Sequence, residues 1–144
     1  MKKLFLLPLF IFVIIGFGCN KNTRSEQSTS PQFLEISEAQ RLKAKQMVGT
    51  MCENCHHPTA SPDDRLAPPL EIAKRNYLAI SDDKADFVNS VTKFVIAPSK
   101  EKAQLHSDVE EFGVMDPLGY SEAEIRAIAI YIYETELEKP DWLK

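Results

Sequence analysis

Cys52-Glu53-Asn54-Cys55-His56 places two thiols three positions apart with an imidazole directly after the second. Each thiol of such a pair can add to one vinyl group of a porphyrin while the adjacent imidazole reaches the iron, so the spacing suits covalent attachment of a c-type haem. Cys52 and Cys55 would then be the attachment points and His56 an iron ligand. Three other readings use the same residues. A thioredoxin-like dithiol wants a βαβ surround, and the flanks here read as helical. A structural zinc site wants a second ligand pair downstream, and no cysteine follows Cys55. The last is a loop in which the residues fall together by chance.

The third cysteine, Cys19, lies far from this motif. Residues 1–18 open on Lys2 and Lys3, continue through the apolar run Leu4 to Phe17, and reach Gly18 just before Cys19. A basic start, an apolar middle shorter than a comfortable membrane span and a small residue at the exit make a secretory signal. A cysteine at that point resembles the cleavage box of bacterial lipoproteins, which implies that Cys19 is lipidated and becomes the new N-terminus. An uncleaved N-terminal helix and plain cleavage are the alternatives. Residues 19–35 are mostly Lys, Asn, Thr, Ser, Gln and Glu, with too little apolar surface to offset the entropy of ordering, and read as a flexible tether. The expected order is a signal peptide over 1–18, a lipidated cysteine and tether over 19–35, one folded domain over 36–140 and a short tail over 141–144. The chain is expected to be exported and membrane-anchored, facing the periplasm or another extracytoplasmic space.

The formal charge of −4 includes Lys2 and Lys3; without them 15 Lys and Arg face 21 Asp and Glu, or −6, which disfavours nucleic acid as a partner. Ser37 with Gln40 makes a capping-box start, and Ala39, Leu42, Ala44, Val48 and Met51 carry a helical apolar pattern into Cys52. Met47 and Met51 on that helix read as core residues. Residues 57–69 hold His57-Pro58, Ser61-Pro62 and Pro68-Pro69, a density of breakers that demands a loop. A short helix over Leu70–Ile80 and a firmer one within Ser81–Ile96 follow, the latter closed by Pro98. Residues 97–120 are mixed, with Gly113, Pro117 and Gly119 around Met115. Ser121 with Glu124 then opens a last helix bearing Ile125, Ile128, Ala129 and Ile132 on one face. No segment reads as a strand, so the fold class is all-α. Its long loops need a central filler, and a bound haem would supply one.

Taken together, these features resemble the class I c-type cytochromes over roughly residues 37–138. That family runs from an N-terminal helix through Cys-x-x-Cys-His, a Gly-Pro-x-Leu-like turn, middle helices and a methionine loop to a C-terminal helix. Ala67-Pro68-Pro69-Leu70 stands where the family turn stands, with Ala67 in place of glycine. The resemblance implies three to five short helices around one covalent haem, with the terminal helices crossing. It implies that the Pro68 carbonyl accepts a hydrogen bond from His56, fixing the ligand's orientation. It also implies that Met115 is the distal ligand, because Gly113-Val114-Met115-Asp116-Pro117 is similar to the family's methionine loop with Asp116 inserted. His106 is the rival ligand, while His57, next to His56, is sterically poor for the role. In this family a small residue on the first helix meets an aromatic on the last, a role for Ala44, Val48 and Tyr131.

With both axial positions filled by protein, substrate binding at the metal is disfavoured and outer-sphere electron transfer favoured. The expectation is a monomeric carrier of single electrons between redox proteins such as membrane oxidases or reductases, and not an enzyme. The alternatives are a haem subunit or docking domain of a larger membrane complex, and a haem enzyme or gas sensor with a labile Met115.

Overall fold

The computed structural model describes residues 31–143, so the expected signal peptide, Cys19 and most of the expected tether lie outside the described residues. A 3₁₀ turn at Pro31–Leu34 leads to α1 (Glu38–Met47). Ser37 Oγ accepts from the Gln40 amide at 3.3 Å and Gln40 Oε1 accepts from the Ser37 amide at 2.9 Å, so the capping box satisfies donors that the first turn leaves unpaired. The helix does not continue in the same pitch to the motif. Val48–Cys52 form a π-helical turn, with the Glu53 amide reaching back to the Val48 carbonyl at 3.0 Å. Such wide turns occur disproportionately at functional sites because they re-aim the residues that follow.

The proline-rich stretch 57–69 is a loop without a regular element, and Pro69 starts α2 (Leu70–Ile80), where a missing N–H costs nothing. The next helix, α3 (Lys84–Ile96), begins three residues later than the sequence span expected. Asp83 is the reason: its carboxylate accepts from the Asp86 amide at 2.9 Å and makes the cap. The mixed stretch contains α4 (His106–Phe112), a seven-residue helix that sequence pattern did not single out, and the chain ends on α5 (Glu122–Glu134). Ser121 and Glu124 form its capping box. The Glu124 carboxyl, held first by Lys43 and then by Ser121, is pulled down to about 2. Among the described residues there are five α-helices and no strand, an all-α fold. None of these helices is long and apolar enough to cross a membrane.

Helix α5 is the spine of the core. Ile125, Ile128, Ala129, Ile130 and Ile132 are buried along it, with α1 packed on one side through Ala44, Met47 and Val48 and α3 on another through Phe87 and Val88. Arg41 pairs with Glu134 at the C-terminal end of α5, and Lys43 with Glu124 near its start. Two residues apart on α1, they reach partners ten residues apart on α5, about 15 Å of helix. Tyr131 is half-buried against the same cluster as Ala44 and Val48. Phe87 joins Tyr77 and Tyr133 in edge-to-face contacts at 5.8 and 5.4 Å, which tie α2, α3 and α5 together. Leu34 and Ile36 pack on this core at one end of the chain, and Trp142 makes tertiary contact at the other.

Ile130 is 1 % exposed. Ile130→Ala should therefore destabilise the fold by about 2–5 kcal/mol, lost burial plus an unfilled cavity, read as a lower denaturation midpoint at unchanged slope.

Candidate functional site

Cys52 ends the π turn, and a tight reversal follows: the Cys55 and His56 amides both reach the Cys52 carbonyl, at 3.2 and 2.8 Å. His56 is then clipped to the start of α2 twice. Its carbonyl accepts from the Leu70 amide at 3.2 Å, and its ring Nδ1 lies 2.7 Å from the Pro68 carbonyl oxygen. A carbonyl can only accept, so Nδ1 carries the proton and Nε2 keeps its lone pair. Burial pushes the His56 imidazole below its ordinary value, partly opposed by the Pro68 bond and the Asp108 charge, which favours the neutral form that a metal needs.

The two thiols differ. Cys52 is half-buried and Cys55 exposed, and they are not joined by a disulfide. Burial, with Glu53 and Cys55 adding to it, pushes the Cys52 thiol up to about 11. A dithiol built for exchange has a depressed first thiol, so this environment is the opposite of the thioredoxin type. Nor do three or more His, Cys, Asp or Glu side chains converge among the described residues as a zinc site would require.

Cys52, Cys55, His56 and Met115 all line one cavity of about 490 Å³, within the range of small-molecule and cofactor sites. Its walls are mainly apolar: Phe94 and Val95 from α3, Phe112 from α4, and Ile125, Ile128 and Ile132 from α5. Leu66 stands at this cavity and is 70 % exposed, so the cavity opens to the surface beside the loop and Cys55. Met115 is brought in by the segment between α4 and α5. Gly113 (φ 82°) ends α4 and Gly119 (φ 71°) precedes α5, both in a conformation that side chains with a Cβ rarely take. The loop bearing Met115 is thus bracketed by two turns.

His106 begins α4, is exposed and is not among the cavity residues; His57 is also exposed, its Nδ1 accepting from the Thr59 amide at 3.2 Å. Met47 is buried in the core, and Met51 packs half-buried against that core while also lining the cavity. Cys19 lies outside the described residues.

Several cavity residues were not singled out from sequence. Lys74 and Tyr77 line it with Leu70 and Ala73, four positions that share one face of α2, and helical periodicity could have found them. Asp108 comes from α4, and nothing in the sequence marked that helix. Arg65 was missed too. Its guanidinium lies over the rings of Phe112 and Trp142, at 5.8 and 5.6 Å from their centroids, fastening the loop to α4 and to the end of the chain. Its buried Nε has no hydrogen-bond partner. No family model matches the chain, and searches of curated proteins and of solved structures likewise return no match.

Proposed function

We propose that the protein is an exported, membrane-tethered electron carrier of the class I cytochrome c type, holding one c-type haem. The observation that carries this reading is the convergence of Cys52, Cys55, His56 and Met115 on one apolar cavity, with His56 Nδ1 occupied by Pro68 and Nε2 left as a donor.

The residues present fit the group. An apolar slot suits a flat apolar macrocycle, the two thiols suit its vinyl groups, and a neutral imidazole with a thioether suits its iron. When bound, the haem supplies reversible one-electron chemistry at its iron. Cys52 and Cys55 would hold it through thioethers, keeping it attached in a compartment where a free cofactor would be lost. His56 donates its Nε2 lone pair, and the Pro68 carbonyl keeps the ring in one tautomer and one orientation. Met115, on the same cavity, would offer its thioether sulfur to the iron. The isoleucines of α5 and the aromatic residues of α3 and α4 exclude water, which weakens screening and makes each nearby charge count for more.

Lipidation at Cys19 belongs to the same proposal and would hold the carrier at a membrane, with 19–35 as its leash. Partners are redox proteins that meet it weakly and briefly where the cavity opens by Leu66 and Cys55. The exported protein should contain one haem per chain and titrate as a single one-electron couple. Protein purified from a host with haem-attachment machinery and lacking haem overturns the reading.

A further inference from the structure

Lys74 is the one lysine or arginine among the residues lining the cavity. Its ammonium donates to the Thr135 carbonyl at 2.7 Å, at the C-terminal end of α5, which leaves two N–H donors unused. The neighbouring carboxylates are already engaged: Glu71 is held by Arg75 at 2.8 Å and Glu136 by Lys139 at 2.9 Å. One helical turn further along α2, Tyr77 lines the same cavity, and its hydroxyl makes no hydrogen bond among the described residues. Burial, with the Asp108 charge adding to it, pushes the Tyr77 phenol up to about 12, so it remains a donor at every ordinary pH. A half-buried cation and a proton-bearing phenol on one face of one helix are two donors awaiting an acceptor. The other charged groups lining the cavity, Asp108 and Asp116, are acidic and repel an anion; Asp108 itself accepts from Asn76 at 3.4 Å.

We propose that Lys74 and Tyr77 form an anion-holding wall of the cavity and take one carboxylate of the bound group, a haem propionate. This rests on the haem reading above and adds the side chains that would orient the cofactor. A carboxylate suits the pair because its two oxygens can accept one N–H from the ammonium and one O–H from the phenol at once. The one cation of the lining sets the direction: the acidic edge of the macrocycle turns toward Lys74, whose attraction must outweigh the Asp108 charge beside Tyr77. A consequence follows for the couple. Reduction adds one negative charge to the haem, so a cation that also neutralises a propionate favours the reduced form.

The test uses the holoprotein and its Lys74→Met, Lys74→Arg and Tyr77→Phe variants, with covalent haem, midpoint potential and thermal midpoint measured for each. Haem should remain attached in all four, since the thioethers do not depend on α2. Lys74→Met should lower the reduced-to-oxidised ratio at fixed poise by about tenfold, which is 59 mV for one electron. Lys74→Arg should restore most of that change, and Tyr77→Phe should lower the ratio by about threefold. A Lys74→Met protein with attached haem, a lower thermal midpoint and an unchanged potential overturns the proposal, making Lys74 only a cap for α5 and leaving the haem reading intact. Wild-type protein without covalent haem overturns both. Should Lys74→Met fail to fold, redox-difference infrared spectra with ¹³C-labelled propionates decide. A labelled carboxylate band that moves on Tyr77→Phe supports the wall, and one that stays in place overturns it.

Discussion

On the proposed function, the wild-type protein denatured after expression with haem-attachment machinery should carry haem on the polypeptide, and the Cys52→Ser, Cys55→Ser double variant should carry essentially none. A thioether is a covalent bond and survives unfolding, whereas ligation by His56 and Met115 would depend on the fold holding both residues at the cavity. Serine hydroxyls do not add to vinyl groups under the same conditions, so the double change removes attachment with little alteration of shape. Each single variant should retain haem through the remaining sulfur. Their yields should differ, because Cys52 is half-buried at the end of the π turn and Cys55 is exposed. Haem-stained denaturing gels with mass analysis give the result directly. Retention of haem by the double variant would end the motif argument.

Met115→Ala should abolish any sulfur-to-iron absorption band and lower the midpoint potential on the order of 0.1 V, a fraction of the ~0.8 V range that axial ligands span. Methionine sulfur raises the potential relative to nitrogen or oxygen donors, and alanine leaves that position to water or to another side chain. The cavity geometry makes the outcome specific. Met115 lines it and His106 does not, so His106→Ala should leave both the band and the potential unchanged. Met51 also lines the cavity, from the turn that carries Cys52. An unchanged spectrum in Met115→Ala would direct attention there. Because Gly113 and Gly119 bracket the Met115 loop at positive φ, replacing either with alanine would strain the backbone and confuse loop misplacement with ligand loss. The methionine substitution is the cleaner experiment.

Legibility varied along the chain for identifiable reasons. Both capping boxes were visible because Ser37 with Gln40 and Ser121 with Glu124 are three residues apart and act within a single turn. The apolar face of α5 was visible because Ile125, Ile128 and Ile132 repeat with the helix. α4 was not, since seven residues with His106, Asp108, Glu110 and Glu111 show too little apolar periodicity. The π turn was invisible for a different reason. Within it Val48 packs against the core and the Cys52 carbonyl accepts from the reversal that follows, tertiary and turn contacts that intrinsic helix preference does not encode.

The sequence by itself determined the local chemistry of this protein: two thiols and an imidazole in one segment, an all-α class, a basic start and apolar run before Cys19, and a methionine set between glycines. These are matters of spacing within a few residues, where covalent connection alone limits what can meet. Only the tertiary structure decided that Met115 opens on the same cavity as His56, that the His56 proton sits on Nδ1 against Pro68, and that Lys74 and Tyr77 line that cavity from one face of α2. Met115 lies tens of positions from His56 and from α2. Their meeting depends on α1 and α3 both burying their apolar faces on α5, a cooperative result of packing that no single segment carries.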